Sequence, residues 1–484
     1  MKPVTAIIIE HNASPLNADL IASLKASPLI EKIIVLSGDR SPDRSVISIS
    51  SSFPAGGTSL SEALAEAAAS AFALILPSPA AAELTPDDIA RLAGHAAAGS
   101  GALYYGDYYY EKRSPEAIRK VCAYQAGSIR DDFMFGPVQL FSMKHVQLAL
   151  GKNERLADTQ WAGLYELRLA ASRAGAVVHI PEPLSLLKQV EKKSHFTYVD
   201  PRQLDFQKEM EQAATEHLKR IGAYCSHELA PAPKDTTAYP VEATIVIPVR
   251  NRATTIGAAV RSALSQKADF SFNVLVVQNH STDGTAEEIN FCARRDRRVV
   301  HLIPGRKDLG IGGCWNEAVH SAQCGKYVCQ LDSDDLYSDE NTLAAMMEKL
   351  RSGSYGMAVG SYRIVNFELQ EIPPGIIDHK EWSHENGRNN LLRVNGIGAP
   401  RAFATVLLRQ FPFPNVSYGE DYAVSLRISR DYSVGRIYEP VYLCRRWEDN
   451  TDAQLTNEQE VKLAAYKDSL RTQEILERQK LYKR

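Results

Sequence analysis

The residues best suited to chemistry are a run of acids, Asp332, Asp334 and Asp335, with Ser333 between the first two. The run directly follows an apolar segment that reads as a strand, and α/β folds bind ligands at the carboxyl ends of such strands. Neighbouring carboxylates repel one another and need a counter-charge. Oxygen-only ligands suit Mg²⁺ or Mn²⁺, which usually keep water and phosphate oxygens in their shell. The structural alternative is that these residues cap the helix expected from residue 339.

A second acidic pair, Glu420 and Asp421, precedes a segment that reads as a helix with Leu426 and Ile428 on its buried face. A carboxylate at this position can act as a general base. Helix capping is again the alternative, because acidic side chains favour the first turn of a helix.

Polar loops follow the first two predicted strands of the same region. Pro248, Arg250 and Asn251 end the first strand and open a helix, in a turn where backbone N–H groups and arginines can bind a phosphate or a base. The second strand ends in the polar loop Gln278–Thr285, and a cationic, glycine-rich stretch follows at Gly305–Gly313. These glycines do not directly follow the first strand, which excludes a dinucleotide-binding Rossmann fingerprint.

The elements that must position these loops are strands of a parallel sheet. Thr5–Ile9 and Thr244–Ile247 are β-branched runs that end in polar turns, as buried parallel strands do. Each is followed by a helical pattern and a second apolar run, Lys32–Leu36 in the first half and Val274–Val277 in the second. The alternation predicts right-handed βαβ units and an α/β fold.

The two halves also resemble each other, which predicts a tandem duplication. Chance similarity between amphipathic α/β segments is the alternative. The matched pairs are Ser61–Leu64 with Asn316–Val319, Leu74–Leu76 with Cys329–Leu331, Pro77–Pro79 with Asp332–Asp334, Leu167–Leu169 with Leu426–Ile428, and Ile180–Leu184 with Ile437–Val441.

In this order, the motifs of the second half resemble those of family 2 of the glycosyltransferases, which have the GT-A fold. The resemblance spans residues 243–451 and rests on four ordered motifs. These are Ile247–Asn251, Ser281–Thr285, the D-x-D motif with a further acid at Asp332–Asp335, and Glu420–Asp421.

The resemblance implies an inverting, metal-dependent transfer of a sugar from a nucleotide-sugar, with UDP the expected nucleotide. Asp332 and Asp334 would hold the donor through Mn²⁺ or Mg²⁺, and Asp334 would be the direct ligand. Asp421 would deprotonate the acceptor hydroxyl, with Glu420 beside it. The residues implied in donor binding are Pro248, Arg250, Asn251, Asn279, Arg306, Asp332 and Ser333.

Three departures from the family pattern bear on this site. Gln278 and Asn279 replace the usual acidic pair that reads the base, although an amide can still bond a uracil edge. Trp315 stands where members often have an arginine, so Arg306 or Lys307 is expected to take over the phosphate contact. The segment 444–450 lacks the histidine that some members use as a further metal contact.

Acceptor contacts are expected at Gly398 and Arg401, in a loop before a predicted strand, and at Trp447. Trp447 could stack on a sugar ring, and a tryptophan of the core is the alternative. The acceptor expected is a glycan, free or linked to lipid or protein.

The first half has the pattern of the same fold without its chemistry. Pro77–Pro79 replaces the acidic run, and Asp107 is a lone acid among tyrosines that reads as structural. The predicted organisation is a degenerate GT-A-like domain over residues 1–200, a helix and proline-rich linker over 201–240, a catalytic GT-A domain over 241–452, and an amphipathic helix over 453–484. The helix is expected to pack back on the protein or pair in a homo-oligomer, and its basic end leaves peripheral membrane contact as the alternative.

Composition limits the other classes of function. A net charge of −3 predicts no nucleic-acid partner, and seven scattered cysteines predict reduced thiols in the cytoplasm, with the inner face of the membrane as a further possibility. A non-catalytic scaffold with two degenerate modules is the main alternative. A sugar-phosphate nucleotidyltransferase is the weakest, because Pro248–Asn251 is not a glycine-rich basic loop.

Overall fold

The computed structural model describes residues 3–10, 17–39, 43–77, 82–151, 156–188, 203–447, 450 and 455–482. The predictions that involve Ser78 and Pro79, the domain boundaries at residues 200–201 and 452–453, and the last two residues of the basic end of the C-terminal helix lie outside these ranges. The chain divides into two compact units. The first comprises residues 1–195, 203–224 and 455–484, and the second comprises residues 196–202 and 225–454.

The first unit is an α/β unit whose sheet is built from nine strands. The strands are β1 Val4–Ile9, β2 Ile30–Ser37, β3 Ile47–Ser50, β4 Phe72–Leu76, β5 Ala82–Glu83, β6 Leu103–Tyr110, β7 Ile118–Arg119, β8 Gln139–Ser142 and β9 Val177–Leu187. The helices are α1 Ala18–Ala26, α2 Gly57–Glu66, α3 Pro86–Ala98, α4 Met143–Leu150, α5 Gly163–Ala174 and α6 Leu204–Arg220, and a short 3₁₀ turn covers Pro115–Ala117.

The second unit repeats this arrangement. Its strands are β10 Ala243–Val249, β11 Phe272–Gln278, β12 Val299–Leu302, β13 Tyr327–Gln330, β14 Leu336–Tyr337, β15 Met357–Val365, β16 Glu371–Ile377, β17 Arg401–Ala404 and β18 Val434–Arg445. Its helices are α7 Ile256–Leu264, α8 Thr285–Arg295, α9 Ile311–His320, α10 Thr342–Arg351, α11 Gly387–Asn390, α12 Thr405–Gln410 and α13 Glu420–Asp431. The last helix of the chain, α14 Asn457–Tyr482, belongs to the first unit.

Both sheets have the same strand order. The first runs β3-β2-β1-β4-β8-β6-β9-β5, and the second runs β12-β11-β10-β13-β17-β15-β18-β14. In each, the first four strands pair in parallel, and β8 or β17 is inserted antiparallel to both of its neighbours. The next pair, β6 with β9 or β15 with β18, is parallel again. The expected α/β fold, two GT-A-like domains in tandem, is confirmed.

The buried strands explain why the sequence adopts this sheet. All six residues of β1 and all seven of β11 are buried, as expected of parallel strands covered by helices on both faces. The carboxyl ends of β10, β11 and β13 therefore meet at one edge, where the polar loops of the second unit begin.

Equivalent contacts fix the register between the units. Gly57 donates its N–H to Thr159 O at 3.1 Å, and Gly312 donates its N–H to Val416 O at 2.9 Å. A methyl group on either glycine would meet a backbone oxygen within 2.0 Å, so both positions need glycine. Further along, the hydroxyls of Tyr165 and Tyr422 each donate to a backbone carbonyl.

This register corrects one detail of the predicted repeat. It pairs Tyr165 with Tyr422, and so shifts the match between Leu167–Leu169 and Leu426–Ile428 by two residues. The reason is that a buried helix face repeats apolar residues closely enough for two alignments to look alike, whereas the hydrogen bonds of the tyrosines allow only one.

Helix α14 packs on the core of the first unit through Val461, Ala464 and Ala465. Asp468 is fully buried there and accepts hydrogen bonds from Arg130 Nε at 3.1 Å, Arg471 Nη1 at 2.8 Å and Ser128 Oγ at 2.9 Å. The helix thus packs against its own chain. Within the described residues, no helix is long and apolar enough to cross a bilayer.

The basic end of α14 includes Arg478, which is fully buried and pairs with Glu474 at 2.8 Å. Arg478 is therefore not available to an anionic surface in this conformation.

Candidate active site

The acidic run lies at the sheet edge where β13 ends. Asp332 accepts two hydrogen bonds from the amide of Gln330, at 3.0 and 3.2 Å. Burial raises the pKa of Asp332, the Gln330 bond opposes that shift, and the negative charge of Asp334 adds to it. Burial and the charges of Asp334 and Asp332 raise the pKa of Asp335 well above its ordinary value, although its carboxylate accepts the Arg445 N–H at 2.8 Å.

Asp334 is covered by donors from two loops. Its Oδ2 accepts the indole N–H of Trp447 at 3.1 Å and the amide of Asn450 at 3.4 Å, and Arg252 Nε lies 3.7 Å away. The Arg252 guanidinium also lies 5.5 Å from the centre of the Trp447 ring, and Phe367 packs against that ring at 5.1 Å. Asn450 and Arg252 are site residues that sequence reasoning missed, because nothing in their local sequence indicates contact with Asp334.

The second acidic pair begins helix α13, directly after Gly419, whose φ of 81° suits glycine. Glu420 is 8% exposed, and its Oε2 has no hydrogen-bond partner among the described residues. Burial, with the charge of Asp421, raises the pKa of Glu420 to about 8. The Asp421 side chain is more open, at 31% exposed. Of the pair, Asp421 is therefore the better placed to meet a ligand.

Arg401 joins the two groups of acids. Its Nη2 donates to Asp421 Oδ2, its Nη1 donates to Gln330 Oε1 at 2.6 Å, and its Nε donates to Ile397 O at 2.6 Å. Because Gln330 in turn binds Asp332, one chain of hydrogen bonds runs from the D-x-D motif to Asp421. The structure thus places Arg401, expected as an acceptor contact, beside the predicted base. Gln330 has no signal in the sequence, since it reads as the last residue of a strand.

The predicted nucleotide loops lie at the same edge. Pro248 is within β10, and Asn251, with φ 53°, connects the loops after β10 and β11. Its N–H donates to Ser281 Oγ at 3.0 Å, and its Oδ1 accepts the Thr282 N–H at 2.8 Å. Arg250, which directly precedes Asn251, is exposed at this loop.

Asn279 directly follows β11. The nitrogen of its side-chain amide is hydrogen-bonded within the protein, whereas the oxygen is open. Asn279 is 6% exposed and donates from Nδ2 to Leu309 O at 2.8 Å. Its Oδ1 is buried without a partner among the described residues. Since this donor bond fixes which atom is nitrogen, Asn279 offers an acceptor to a ligand.

The remaining predicted residues occupy varied places. Arg306 is exposed and binds Asp308 at 3.0 and 2.7 Å, whereas Ser333 is 9% exposed. Trp315 is buried and stacks on Phe413 at 5.2 Å, so it is a core residue. Gly398 donates its N–H to His379 Nε2 at 3.0 Å.

The donor set fits a divalent cation with two protein carboxylates. Among the described residues, no three His, Cys, Asp or Glu side chains are grouped closely enough to hold a metal. Mg²⁺ is nevertheless typically bound through one or two carboxylates plus water and phosphate oxygens. Burial first, and then the charges of Asp334 and Asp421, raise the pKa of Asp332, and a bound cation would oppose both effects. A cation on Asp334 Oδ2 would have to displace the Trp447 and Asn450 bonds.

Among its described residues, the first unit has no acid at the positions equivalent to Asp332, Glu420 and Asp421. By strand register, Pro77 takes the place of Asp332, and Gln139 takes that of Arg401. By helix register, Gly163 and Leu164 take the places of Glu420 and Asp421. Asp107 is 5% exposed and accepts bonds from Val121 N and His179 Nε2 at 3.0 and 2.8 Å, which is a structural arrangement.

The second unit is therefore a GT-A-like α/β domain with clustered acids at the carboxyl edge of its sheet. Residues 244–414 match the family model described as "Glycosyl transferase family 2". The matched segment lies within the second unit.

Known proteins resemble parts of this chain. An uncharacterized glycosyltransferase of Rickettsia bellii is 27% identical over 213 residues, which cover 43% of this chain and 29% of the relative. The glycosyltransferase AglD of Haloferax volcanii is 33% identical over 133 residues, 27% of this chain and 21% of the relative. The chain thus spans less than a third of these relatives' length.

Solved structures also align with it. S. aureus TarS 1–349 in complex with UDP-GlcNAc is 20% identical with a TM-score of 0.36, covering 49% of this chain and 72% of the other. Glucosyl-3-phosphoglycerate synthase from Mycobacterium tuberculosis, in complex with Mn²⁺, UDP and phosphoglyceric acid, is 14% identical with a TM-score of 0.36, covering 51% and 87%.

Proposed function

We propose that the second unit is an inverting glycosyltransferase that moves a sugar from a UDP-linked donor to an acceptor hydroxyl, in the synthesis of a surface glycan or polysaccharide. The observation that supports it is the hydrogen-bonded chain from Asp332 through Gln330 and Arg401 to Asp421. These hydrogen bonds join Asp332 to Asp421, 89 residues later in the sequence, at one site, which neither capping alternative requires.

On the donor side, the open oxygen of Asn279 suits a nucleotide base that carries an N–H on its pairing edge. The open Oδ1 of Asn279 can accept the N3–H of uracil, and a buried acceptor without a partner costs about 1–3 kcal/mol until it finds one. Arg250 and Asn251 line the loop beside it, and Arg306 would reach the phosphates after leaving Asp308.

At the reacting end, we assign the base to Asp421 and a protonated carboxyl group to Glu420. The acceptor oxygen attacks the anomeric carbon as the bond to the diphosphate breaks, and Asp421 takes the hydroxyl proton from the face opposite the leaving group, which inverts the configuration. Glu420, with its pKa of about 8, keeps its proton at neutral pH and adds no repulsion to Asp421. Mn²⁺ or Mg²⁺ on Asp332 and Asp334 would supply positive charge to the leaving diphosphate.

On the acceptor side, we propose a glycan, lipid-linked or protein-linked hydroxyl that meets Asp421 near Gly398 and the Trp447 face. The indole N–H of Trp447 already binds Asp334, so only the ring remains for stacking on a sugar. Six of the seven free cysteines are buried, which supports the proposed reducing, cytoplasmic location.

A non-catalytic sugar-binding scaffold is the second candidate. It is favoured by one observation, the cover of Trp447, Asn450 and Arg252 over Asp334. In that case the acidic edge would be closed by the protein's own donors and would bind no metal.

A thermal-shift panel tests the proposal. UDP, GDP, CDP and dTDP, each with and without Mn²⁺, are added to wild type, Asp334→Ala and the matched control Asp269→Asn, whose carboxylate is exposed on the same unit. Ligand at 100 times its Kd adds about 2.7 kcal/mol of stability. We expect a metal-dependent shift with UDP in wild type and the control that is lost in Asp334→Ala. No shift with any nucleotide would favour the scaffold.

A further inference from the structure

We propose that His379, oriented by Glu381, is a positioning residue that holds the loop of Arg401 and, through Arg401, the carboxylate of Asp421. The inference rests on the proposed function, because it assigns a role in the same reaction to residues that contact neither donor nor acceptor.

The first link is a buried histidine–carboxylate pair. His379 Nδ1 lies 3.0 Å from Glu381 Oε1, and their side chains are 1% and 9% exposed. Burial tends to raise the pKa of Glu381, but its interaction with His379 and the charge of Arg436 outweigh burial and lower that pKa. Glu381 is thus an ionised acceptor, which assigns the Nδ1 hydrogen to His379.

The second link is a bond that needs this tautomer. With Nδ1 as donor, Nε2 is free to accept, and Gly398 donates its backbone N–H to it at 3.0 Å. The Nε2 atom of His379 therefore binds the loop that leads to Arg401, although His379 lies 19 residues before Gly398 in the chain.

The third link passes from this loop to the acids. Arg401 Nε donates to Ile397 O at 2.6 Å, next to Gly398, while its two other nitrogens bind Gln330 and Asp421. A shift of the loop would move the Ile397 carbonyl and so the guanidinium. A misplacement of about 1 Å far from the reacting atoms can cost about 100-fold in rate.

The backbone of His379 restricts what can replace it. Its φ of 52° lies in the left-handed region, where non-glycine residues are uncommon and asparagine, aspartate and histidine are enriched. A histidine that only filled the core would not need an acceptor directed at the loop of Arg401.

The experiment compares three substitutions. Gln at 379 can place an acceptor near Nε2, Leu has no acceptor, and Asn suits the backbone but is too short to reach Gly398. We expect His379→Leu and His379→Asn to lower kcat by about 10- to 100-fold, with donor KM within about 3-fold, and His379→Gln to restore most of kcat. Exposed His320→Gln is the matched control.

Wild-type kcat in His379→Asn, or a His379→Gln as slow as His379→Leu, would overturn the inference. Hydrogen exchange across residues 396–401 gives a readout without turnover. We expect faster exchange in the Asn variant and normal exchange in the Gln variant. If wild type itself transfers no sugar, the proposed function fails, and unchanged exchange in the Asn variant would separately refute the His379 link.

Discussion

At the residue scale, the site is a set of acids balanced by a few donors. Asp421 is held by Arg401, and Asp334 is held by Trp447, Asn450 and Arg252. The two acids thus differ in what a ligand must displace. The contacts of Asp334 come from loops, whereas Arg401 begins strand β17 and is 8% exposed.

Trp447→Phe should tighten Mn²⁺ binding. The substitution removes the indole N–H that competes for Asp334 Oδ2 and keeps an aromatic ring beside Arg252 and Phe367. A hydrogen bond of this kind contributes about 1 kcal/mol, so we expect about a five-fold lower Kd by calorimetry. Trp161→Phe, in the first unit, is the control. Weaker or unchanged Mn²⁺ binding in Trp447→Phe would show that the bond does not oppose the metal.

Arg401→Lys should lower kcat by about 100-fold, because a single ammonium cannot reproduce the planar fork that reaches Gln330 and Asp421 together. Donor KM should change less than kcat, because Arg401 binds Asp421 directly and reaches the donor-binding Asp332 only through Gln330. Exposed Arg363→Lys serves as the matched control, and steady-state kinetics with the donor found in the panel is the measurement. A lysine variant with wild-type kcat would mean that Arg401 does not position Asp421.

At the element scale, helices α5 and α6 of the first unit pack around a buried histidine. His217 is 4% exposed and lies 2.9 Å from Arg173 Nη1. Burial, with the positive charges of Arg173 and Arg220, lowers the pKa of His217 to about 3. The native state therefore holds this imidazole neutral.

The lowered pKa predicts acid sensitivity. An unfolded chain protonates His217 below its ordinary pKa of about 6.5, whereas the native chain does not until about 3, so stability is full above 6.5 and falls as pH decreases. At pH 5 the loss is about 2 kcal/mol. His217→Gln should be less sensitive between pH 7 and 5 in chemical denaturation, with His320→Gln unchanged from wild type. Equal pH dependence in His217→Gln and wild type would contradict this.

Helix α14 should contribute to the stability of the first unit through its buried Asp468. Asp468 is the buried acceptor for Arg130 and Arg471, so Asp468→Ala leaves both guanidinium groups without that carboxylate. Breaking a buried pair costs about 3–5 kcal/mol. We expect a matching loss in calorimetric stability, with none for exposed Asp205→Asn. A loss below about 1 kcal/mol would show that α14 contributes little to the unit.

At the scale of the whole molecule, the sequence was enough to predict the architecture. Strands such as Thr244–Ile247 have a local β-branched signal, and the spacing of Asn316–Val319 to Asp332 repeats in the first half. Both features depend on short segments, which is why the tandem α/β fold could be predicted. The acids of the candidate site could be named from the sequence for the same reason, because each motif is contiguous.

What joins those motifs could not be predicted. Gln330 and Arg401 are 71 residues apart, and Asn450 reaches Asp334 across 116. Their pairing is decided by the antiparallel insertion of β17 and by the loop after β18, neither of which leaves a periodic signal. The packing of α14 is equally long-range, since its partners near Arg130 lie more than 330 residues earlier.

The central claim is that Asp334 and Asp421 serve one reaction in one site. It is tested most directly by UDP release from a panel of UDP-sugars with Mn²⁺ and an acceptor mixture, in wild type, Asp334→Ala, Asp421→Asn and Asp269→Asn. We predict turnover in wild type and Asp269→Asn that both site variants lose while keeping wild-type unfolding temperatures. Turnover that persists in folded Asp334→Ala or Asp421→Asn would contradict the claim.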